Sequence, residues 1–522
     1  MLLSLRWISF HYAESPSLSE PTERSMKVDS SPIQLLTSLG FCLSFFLLLA
    51  SLVSLDSAAQ APAAQAPDTK IKNVLFIVSD DLKADVLGCY GDKFCKTPNI
   101  DRLAKSGMLF ERAYCQGTWC APSRTSFMFS RYKGRAQTNL GQHLKENGFY
   151  SARVGKIYHM RVPGDIEAGT DGKDIPESWT EKFNSAGKEC LTPGNYACLN
   201  LNEFKTEIEG RQSTAMPHRM FVTVRYEGDG SDQPDHKSAT KAIELLDKHG
   251  DKPFFLAVGL VRPHYPMVAP EQYFKPYPWQ KMPMPKQVLN DRDDIPRQGH
   301  TGIHNGNNKI GEFPDNQKRM WQAYYASVTF MDEQVGRILD HLDKKGLRES
   351  TAIIFTSDHG YHLGEHGFWQ KVSLHEEVTR VPLIISTPGM KAGRSKSIVE
   401  MVDIFPTASD LVGLEVPKSV QGVSLVPVLK NSEAKVKSGA ISFTRGVSWR
   451  TRDWAYMRYP SGEEELYDMN KDVKQIHNLA NLETHAKTKA AMRNELELRM
   501  KKFGLQMPKP KSPKSKKKKA QR

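Results

Sequence analysis

The 522-residue sequence contains no visible internal repeat, zinc finger or basic patch interleaved with aromatic residues. Without such a module, a specific nucleic-acid partner is not expected. The residues are 39% hydrophobic and 25% charged, which is ordinary for a globular protein. The chain is long enough to form a large hydrophobic core and a second domain.

Cysteine is also scarce, with seven residues in the chain. Cys42 lies in an apolar N-terminal segment, Cys120 belongs to a motif described below, and the others are Cys89, Cys95, Cys115, Cys190 and Cys198. Because Cys190 and Cys198 flank a Pro-Gly turn, we predict a disulfide between them in an oxidising compartment. The odd remainder implies that at least one thiol stays free or pairs between chains.

An almost uncharged stretch, Ile33–Leu55, has a strongly apolar centre and is followed by small residues. This pattern is typical of a secretory signal peptide. We therefore expect residues 1–61 to be a start extension and signal peptide, residues 62–70 to be a linker, and the protein to be exported to a periplasmic, extracellular or lysosome-like compartment. The alternative is an uncleaved membrane anchor, although the apolar centre is short for a bilayer span.

The net charge of +13 is concentrated at the C-terminus, because Pro508–Arg522 contains eight Lys and Arg residues and no acid. Residues 506–522 are predicted to be a disordered basic tail, since such a composition cannot bury a core. The tail either tethers the protein to a polyanion such as a sulfated polysaccharide or is solvated and has no specific role.

Two apolar runs are followed within a few residues by acidic residues. Asp80 and Asp81 follow Val74–Val78, and Asp358 and His359 follow Ala352–Phe355. Such runs are typical of buried parallel strands, and ligands bind beyond the carboxyl ends of such strands. Each aspartate alone fits a helix cap or a turn equally well. Three carboxylates in one cleft would need a cation, and hard oxygen ligands favour calcium or magnesium over a soft metal. We predict calcium.

The most informative segment is C-A-P-S-R at Cys120–Arg124, continued by Met128 and Arg131. Pro122 suits the first turn of a helix, so a helix is predicted to begin at Cys120. The free N–H groups and the dipole of that helix would face a bound anion. Considered alone, Cys120 could equally be a buried core thiol or half of a disulfide.

Two further strand-like runs end near basic side chains. Lys156 and His159 follow Tyr150–Val154, and His264 follows Phe254–Leu260. A lone histidine is more often structural, but two that each follow a buried strand favour a catalytic role. Lys371 follows the glycine-rich stretch Gly360–Gly367, which could wrap the site as a loop. Alone, Lys371 would be read as a surface lysine.

Together these segments resemble the type I sulfatases, and among them the iduronate-2-sulfatase group, over roughly Lys72–Asn478. The resemblance implies an alkaline-phosphatase-like α/β sandwich, with a large mixed sheet flanked by helices in residues 71–430. A smaller C-terminal subdomain with a short antiparallel sheet is expected in residues 431–505. The implied activity is hydrolysis of sulfuric esters of a sulfated sugar or polysaccharide, after a maturation enzyme converts Cys120 to formylglycine. The alternatives are a formylglycine-dependent phosphonate or phosphodiester hydrolase and a noncatalytic binder of sulfated glycans.

The resemblance also implies a role for each site residue. One calcium ion would be held by Asp80, Asp81, the modified Cys120, Asp358 and His359. Arg124 would hold the formylglycine hydrate, while Lys156 and Lys371 would clamp the sulfate oxygens. After the hydrate attacks sulfur, His264 or Lys371 would protonate the departing alcohol, and His159 would remove the proton whose loss expels sulfate.

The chain departs from the family pattern in its signature and at its C-terminal end. Phe129 and Ser130 stand where threonine and glycine are common. The segment Arg458–Ser461 runs almost directly into Glu465, where the iduronate enzyme has a longer segment that helps to recognise the sugar carboxylate, so the resemblance does not extend to iduronate specificity. Arg450 and Arg452 are either candidates to bind an acidic sugar or a solvated pair.

Overall fold

The computed structural model describes residues 71–211 and 218–508. The predicted start extension, signal peptide and linker, and the tail from residue 509, lie outside the described residues. In chain order the elements are β1 (Asn73–Asp80), α1 (Pro98–Lys105), β2 (Met108–Tyr114), α2 (Cys120–Phe129), α3 (Leu140–Glu146), β3 (Tyr150–Gly155), α4 (Gly164–Ala168), β4 (Glu181–Phe183), β5 (Asn195–Cys198), β6 (Glu203–Lys205), β7 (Val222–Tyr226), α5 (Pro234–His249), β8 (Phe254–Pro263), β9 (Met267–Pro270), α6 (Glu271–Phe274), α7 (Pro314–Lys344), β10 (Thr351–Ser357), β11 (His362–Leu363), β12 (Trp369–Gln370), α8 (Glu376–Thr379), β13 (Arg380–Ser386), β14 (Gly393–Glu400), α9 (Ile404–Leu411), α10 (Val426–Lys430), β15 (Gly439–Phe443), β16 (Val447–Thr451), β17 (Trp454–Arg458), β18 (Glu464–Asp468) and α11 (Ala486–Lys502).

Eight strands form the large sheet, in the order β14-β2-β13-β10-β1-β8-β3-β4. The four strands β10, β1, β8 and β3 are parallel to one another. Strand β13 is antiparallel to both of its neighbours, so the sheet is mixed. This arrangement confirms the predicted large mixed sheet.

The apolar run of β1 is uniform because both faces of the strand are buried. Leu75 and Ile77 pack in a core with α1, α5 and α7. Val74, Phe76 and Val78 alternate with them and pack on the other face with α2, α3 and α9. Since side chains of a strand alternate between faces, a strand covered on both sides needs apolar residues at every position.

Replacing Phe76 with alanine is expected to lower the free energy of unfolding by about 3–5 kcal/mol, because a buried aromatic ring is lost and a cavity is left. Phe76 is fully buried and its ring meets the edge of Phe127, with 5.6 Å between ring centroids. Urea unfolding measures the change. Leu498→Ala is the control, because Leu498 is 61% exposed on α11. A loss at position 76 no larger than at position 498 would contradict the packing described.

The C-terminal part contains the predicted small sheet, in which β15, β16, β17 and β18 are antiparallel in sequence order. Helix α11 packs against it through Met492, Leu496 and Met500. This part and the large sheet belong to one compact unit, so the boundary near residue 430 stays a prediction. A second four-stranded sheet, β6-β5-β7-β9, was not expected from the sequence.

The predicted disulfide between Cys190 and Cys198 is wrong, because the structure has both residues as thiols. The Sγ of Cys190 lies 3.7 Å from Oε1 of Glu167. The Sγ of Cys198 lies 3.5 Å from Oδ1 of Asn200. Each sulfur is directed to its own polar partner, and the Pro-Gly turn between the two residues does not bring them into a covalent bond.

Helix α7 is 31 residues long and lies on the face of the sheet that carries α5. It supports the end of β1, because the hydroxyl of Tyr324 donates to the carbonyl of Asp81 at 2.6 Å and accepts from the amide of Lys83 at 3.0 Å. Among the described residues, no helix combines the length and the apolar character needed to cross a bilayer.

Candidate active site

Four neighbouring parallel strands end at one place. Asp80 is the last residue of β1, Asp358 and His359 follow β10, Lys156 follows β3, and His264 follows β8. These strands lie side by side in the order β10-β1-β8-β3. The structure thus brings together, at the carboxyl edge of the sheet, groups that the sequence places after separate apolar runs.

Two glycines let Lys156 turn into this site. Gly155 and Gly259 pair in register between β3 and β8. Gly155 has φ of +68°, and a Cβ at Gly259 would lie 2.1 Å from the carbonyl oxygen of Lys156. Any larger residue at position 259 would therefore push the Lys156 backbone away.

Helix α2 begins at Cys120, as the sequence predicts. The Sγ of Cys120 lies 3.4 Å from Oδ1 of Asp80, 3.3 Å from Nζ of Lys371 and 3.9 Å from Nζ of Lys156. Burial and the charge of Asp80 raise the pKa of the Cys120 thiol, although the two lysines oppose the change. Because the reactive form of a cysteine is the thiolate, unmodified Cys120 is not poised as a nucleophile.

Three cations and three carboxylates surround Cys120 and are almost wholly buried. Arg124 donates to Oδ2 of Asp358 at 2.9 Å and lies 3.2 Å from Oδ1 of Asp80. Lys156 forms an ion pair with Asp80. Lys371 donates to Oδ1 of Asp81 at 2.6 Å. Buried charges at this density are stable only when they are paired in this way.

The ion pairs set the protonation states of the site. Burial alone would raise the pKa of Asp80, but the charges of Lys156 and Arg124 outweigh it and hold that pKa well below its usual range. Burial would lower the pKa of Lys371, but Asp81 outweighs it and raises that pKa well above the ordinary value. Lys371 therefore keeps its proton at neutral pH.

The same residues could hold a metal ion. Ligand atoms of Asp80, Cys120, Asp358 and His359 lie within 4.8 Å of one another, and so do those of Asp80, Asp81, Cys120 and His264. Among the described residues, Oδ2 of Asp81 and Nε2 of His359 are buried without a hydrogen-bond partner. The Nδ1 of His359 lies 3.0 Å from the carbonyl of Gly360 and donates to it, which leaves a lone pair on Nε2. A cation would satisfy both orphaned atoms.

The two predicted histidines differ in environment. His159 is partly exposed, and burial together with the charge of Lys156 lowers its pKa to about 4. His264 is buried, and burial with the charge of Lys371 lowers its pKa well below the ordinary value. The Nδ1 of His264 donates to the carbonyl of Tyr265, and its Nε2 lies 3.8 Å from Oδ2 of Asp81. Both imidazoles are therefore neutral at pH 7, and Nε2 of His264 carries no proton.

Comparison with known proteins identifies the family to which the chain belongs. A family profile described as Sulfatase matches residues 72–414, which is more than half of the chain. This chain belongs to the sulfatase family. A second profile, described as N-sulphoglucosamine sulphohydrolase, C-terminal, matches residues 364–502 of the sulfatase.

Characterised relatives agree with this assignment. Iduronate 2-sulfatase of Mus musculus is 35% identical over 432 residues, which are 72% of this sulfatase and 74% of the mouse protein. The Homo sapiens protein of the same name is 35% identical over 428 residues, or 70% of this chain and 72% of the human one. The predicted type I sulfatase family, near the iduronate-2-sulfatase group, is confirmed, and the chain is a sulfuric ester hydrolase.

Solved structures confirm the alkaline-phosphatase-like fold. Phosphonate monoester hydrolase of Agrobacterium radiobacter superposes with a TM-score of 0.68 at 21% identity, over 83% of this sulfatase and 96% of that chain. A protein in complex with its substrate D-glucosamine-2-N,6-O-disulfate superposes with a TM-score of 0.67 at 22% identity, over 83% and 98% of the two chains.

The two arginines considered for an acidic sugar are placed differently in the sulfatase. Arg450 is buried and donates to Oε2 of Glu376 at 3.0 Å. Arg452 has a side chain that is 71% exposed and lies 3.7 Å from Asp453. Neither contacts the residues around Cys120, so one arginine is structural and the other is solvated.

The unusual Ser130 of the sulfatase has a structural explanation. It caps α2 with φ of +49°, a conformation that favours glycine. Its buried hydroxyl accepts from the amide of Gly422 at 3.0 Å and donates to the carbonyl of Val402. These hydrogen bonds offset the strain that a side chain introduces at this position.

Sequence reasoning missed two tyrosines near the sulfatase site. Tyr324 holds the backbone of Asp81, and the ring of Tyr265 lies 5.4 Å from Nζ of Lys371. Tyr265 follows the predicted His264, so its position past β8 was available as a signal. Tyr324 had no such signal in the sequence, because its hydrogen bond to Asp81 spans 243 positions of the chain.

Proposed function

We propose that the sulfatase is a calcium-dependent sulfuric ester hydrolase that uses a formylglycine derived from Cys120 to desulfate a sulfated sugar or polysaccharide. The observation that carries the proposal is the position of Cys120, buried at the start of α2 between Lys156, Lys371 and the three aspartates. Its thiol pKa is raised, so the residue gains a catalytic role only by modification. The two iduronate 2-sulfatase relatives support a sulfated sugar as the substrate.

In this mechanism formylglycine at position 120 would supply a hydrated aldehyde whose hydroxyl attacks sulfur. Calcium held by Asp80, Asp81, Asp358 and His359 would supply Lewis acidity to that chemistry. Arg124 orients residue 120 through its contacts with Asp80 and Asp358. Lys156 and Lys371 stabilise negative charge on the nonbridging sulfate oxygens.

Lys371 is the proton donor that we assign to the departing alcohol. Its Nζ is protonated at neutral pH because Asp81 raises its pKa, whereas Nε2 of His264 has no proton to give. His264 instead lies beside Asp81 as a neutral polar side chain. His159, neutral and partly exposed, accepts the proton whose removal releases sulfate.

Turnover is expected to fall as the pH drops through about 4, because burial and Lys156 lower the pKa of His159 to about 4 and only the neutral imidazole accepts a proton. His159→Gln is expected to lose about 10²–10⁴-fold in kcat and to lack this acid limb. His143→Gln is the control, because His143 lies on α3 beside Phe405. An unchanged acid limb in His159→Gln would remove His159 from the mechanism.

Dialysis against EGTA is expected to lower turnover by roughly 10²-fold or more, because a bound metal contributes several kcal/mol of charge stabilisation. Calcium should restore activity better than magnesium, since the site offers more protein ligands than magnesium usually takes. Metal content is measured in parallel. Full turnover by protein that contains no bound metal would contradict the calcium proposal.

A phosphonate or phosphodiester hydrolase is the second candidate, because the Agrobacterium radiobacter phosphonate monoester hydrolase shares the fold. The two functions are separated by kcat/KM on 4-nitrophenyl sulfate and on the matched phenylphosphonate monoester. A ratio above unity supports the sulfatase proposal, because the two esters share a leaving group and a single negative charge and differ in the central atom and its substituents. A large preference for the phosphonate would assign the second function.

We also propose that the protein is exported and that a formylglycine-generating enzyme acts on it before it folds. The apolar segment Ile33–Leu55 supports export. Burial of Cys120 supports the order of events, because a maturation enzyme needs access to an unfolded segment. A membrane partner enters only if the signal segment stays uncleaved.

A further inference from the structure

One of the proposed calcium ligands, Asp81, has an unusual backbone conformation. Its φ is +64°, in the left-handed region that a residue with a Cβ atom seldom adopts. The residue is fully buried directly after the last position of β1. A conformation of this kind persists only where the surrounding contacts fix it.

This conformation explains how two adjacent aspartates reach one site. In an extended strand, successive side chains are directed to opposite faces of the sheet. Nevertheless, ligand atoms of Asp80 and Asp81 lie within 4.8 Å of one another and of Cys120. The left-handed backbone at Asp81 ends the alternation of β1, so that both carboxylates face the same group of residues.

The carboxylate of Asp81 is placed for a cation. Its Oδ1 accepts from Nζ of Lys371 at 2.6 Å and lies 3.4 Å from Nε2 of His359. Its Oδ2 lies 3.8 Å from Nε2 of His264 and has no hydrogen-bond partner among the described residues. A return of Asp81 to extended backbone would turn both oxygens away from His359, because rotation about the N–Cα bond redirects Cβ.

The hydroxyl of Tyr324 closes the turn that follows β1, here called the Asp81 turn (residues 81–83). It donates to the carbonyl of Asp81 at 2.6 Å and accepts from the amide of Lys83 at 3.0 Å. Tyr324 is fully buried, and its ring stacks on that of Tyr361 with 5.7 Å between centroids. One hydroxyl thus fixes the peptide groups on both sides of Leu82.

A second hydroxyl, that of Ser357, holds the same turn from the end of β10. It accepts from the amide of Leu82 at 3.0 Å and donates to the carbonyl of His359 at 2.9 Å. The amide of Asp81 donates to Oδ1 of Asp358 at 3.1 Å. Ser357 therefore connects the Asp81 turn to the segment that carries two further proposed ligands.

We propose that Tyr324 and Ser357 are positioning residues for calcium, which hold the Asp81 turn in the conformation that directs the Asp81 carboxylate to the ion. The inference rests on the proposed function, which supplies the ion. Without either hydroxyl a buried amide of the turn loses its acceptor, and the turn relaxes. Calcium must then also restore the conformation of Asp81, which weakens the observed affinity.

Calcium titration calorimetry of the full chain carrying Cys120→Ala tests the proposal. In this parent protein the modification of residue 120 cannot differ between variants, and the remaining proposed ligands are unchanged. Tyr324→Phe is expected to raise the calcium Kd about 10–100-fold, because loss of a group that holds a metal ligand in place has effects of this order. Ser357→Ala is expected to raise the Kd as well. Tyr324→Phe keeps the ring that stacks on Tyr361 and removes only the hydroxyl.

Each variant has a matched control that removes a buried hydroxyl away from the Asp81 turn. Tyr325→Phe is the control on α7, because the hydroxyl of Tyr325 donates to Oδ2 of Asp92 at 2.8 Å. Thr356→Val is the control on β10, because the hydroxyl of Thr356 donates to the carbonyl of Pro382 at 2.7 Å. Both controls should leave the calcium Kd unchanged. Urea unfolding without calcium measures the loss of stability separately.

A purely structural role gives a different result from a positioning role. If Tyr324→Phe lowered the free energy of unfolding but had the same calcium Kd as Tyr325→Phe, the proposal would be overturned. Should Tyr324→Phe fail to fold, the Kd of Ser357→Ala against that of Thr356→Val decides between the two roles. A parent protein that bound no calcium would instead overturn the calcium proposal, and this inference with it.

Discussion

Turnover of a sulfate ester is expected to fall by about 10⁵-fold or more in Cys120→Ala, because residue 120 supplies the attacking group and removal of a nucleophile has effects of this order. The rest of the site should persist. Lys371 remains paired with Asp81 at 2.6 Å, and Arg124 remains paired with Asp358 at 2.9 Å, since neither pair depends on the sulfur. Initial rates with 4-nitrophenyl sulfate and a thermal unfolding curve measure the two properties separately.

Cys115→Ala is the matched control for that variant. Cys115 is fully buried only five positions earlier, and its Sγ donates to the carbonyl of Val378 at 3.6 Å. Its replacement is expected to leave kcat within a few fold and to cost about 1–2 kcal/mol of stability from lost packing. Cys120→Ala protein that retained one per cent of wild-type turnover would contradict the assignment of the nucleophile.

The second large expected effect is the loss of activity in Lys371→Ala, and its size depends on the leaving group of the substrate. Lys371→Ala is expected to lower kcat/KM for a sugar sulfate about 10²-fold more than for 4-nitrophenyl sulfate, because nitrophenolate departs without a proton and a general acid contributes about 10²–10⁴-fold. Lys156→Ala should reduce both activities by the same factor, since Lys156 pairs with Asp80 and only stabilises charge. Comparing the two variants on both substrates isolates the proton transfer from the loss of a cation.

An equal loss on both substrates in Lys371→Ala would remove the proton donor role from this residue. His264→Ala then becomes the informative variant. A loss that depends on the leaving group in His264→Ala would show that the imidazole is protonated in the substrate complex, although burial and Lys371 lower its pKa in the free protein.

Much of the central sheet was predictable because its signals are local. The runs at β1, β8 and β10 are mostly apolar, which marks strands buried on both faces, and these runs and the strand-like run at β3 are each followed by polar residues. Pro122 similarly marked the first turn of α2. The common position of these ends then followed from the geometry of parallel strands.

Features that depend on distant contacts could not be predicted. The sheet β6-β5-β7-β9 has strands of three to five residues, too short for a clear period. Tyr324 lies on one face of a 31-residue helix, and nothing local shows that its hydroxyl reaches Asp81. The disulfide prediction failed for the same reason, because the turn between Cys190 and Cys198 fixes their spacing but not the partners of their sulfurs.

The proposed mechanism requires formylglycine at residue 120, and the mass of the peptide that spans this residue shows whether it is present. Protein purified from its own host is digested and measured, because the aldehyde and the thiol differ in mass. Formylglycine at position 120 is the expected result. An unmodified thiol there would contradict it and would favour a noncatalytic binder of sulfated glycans.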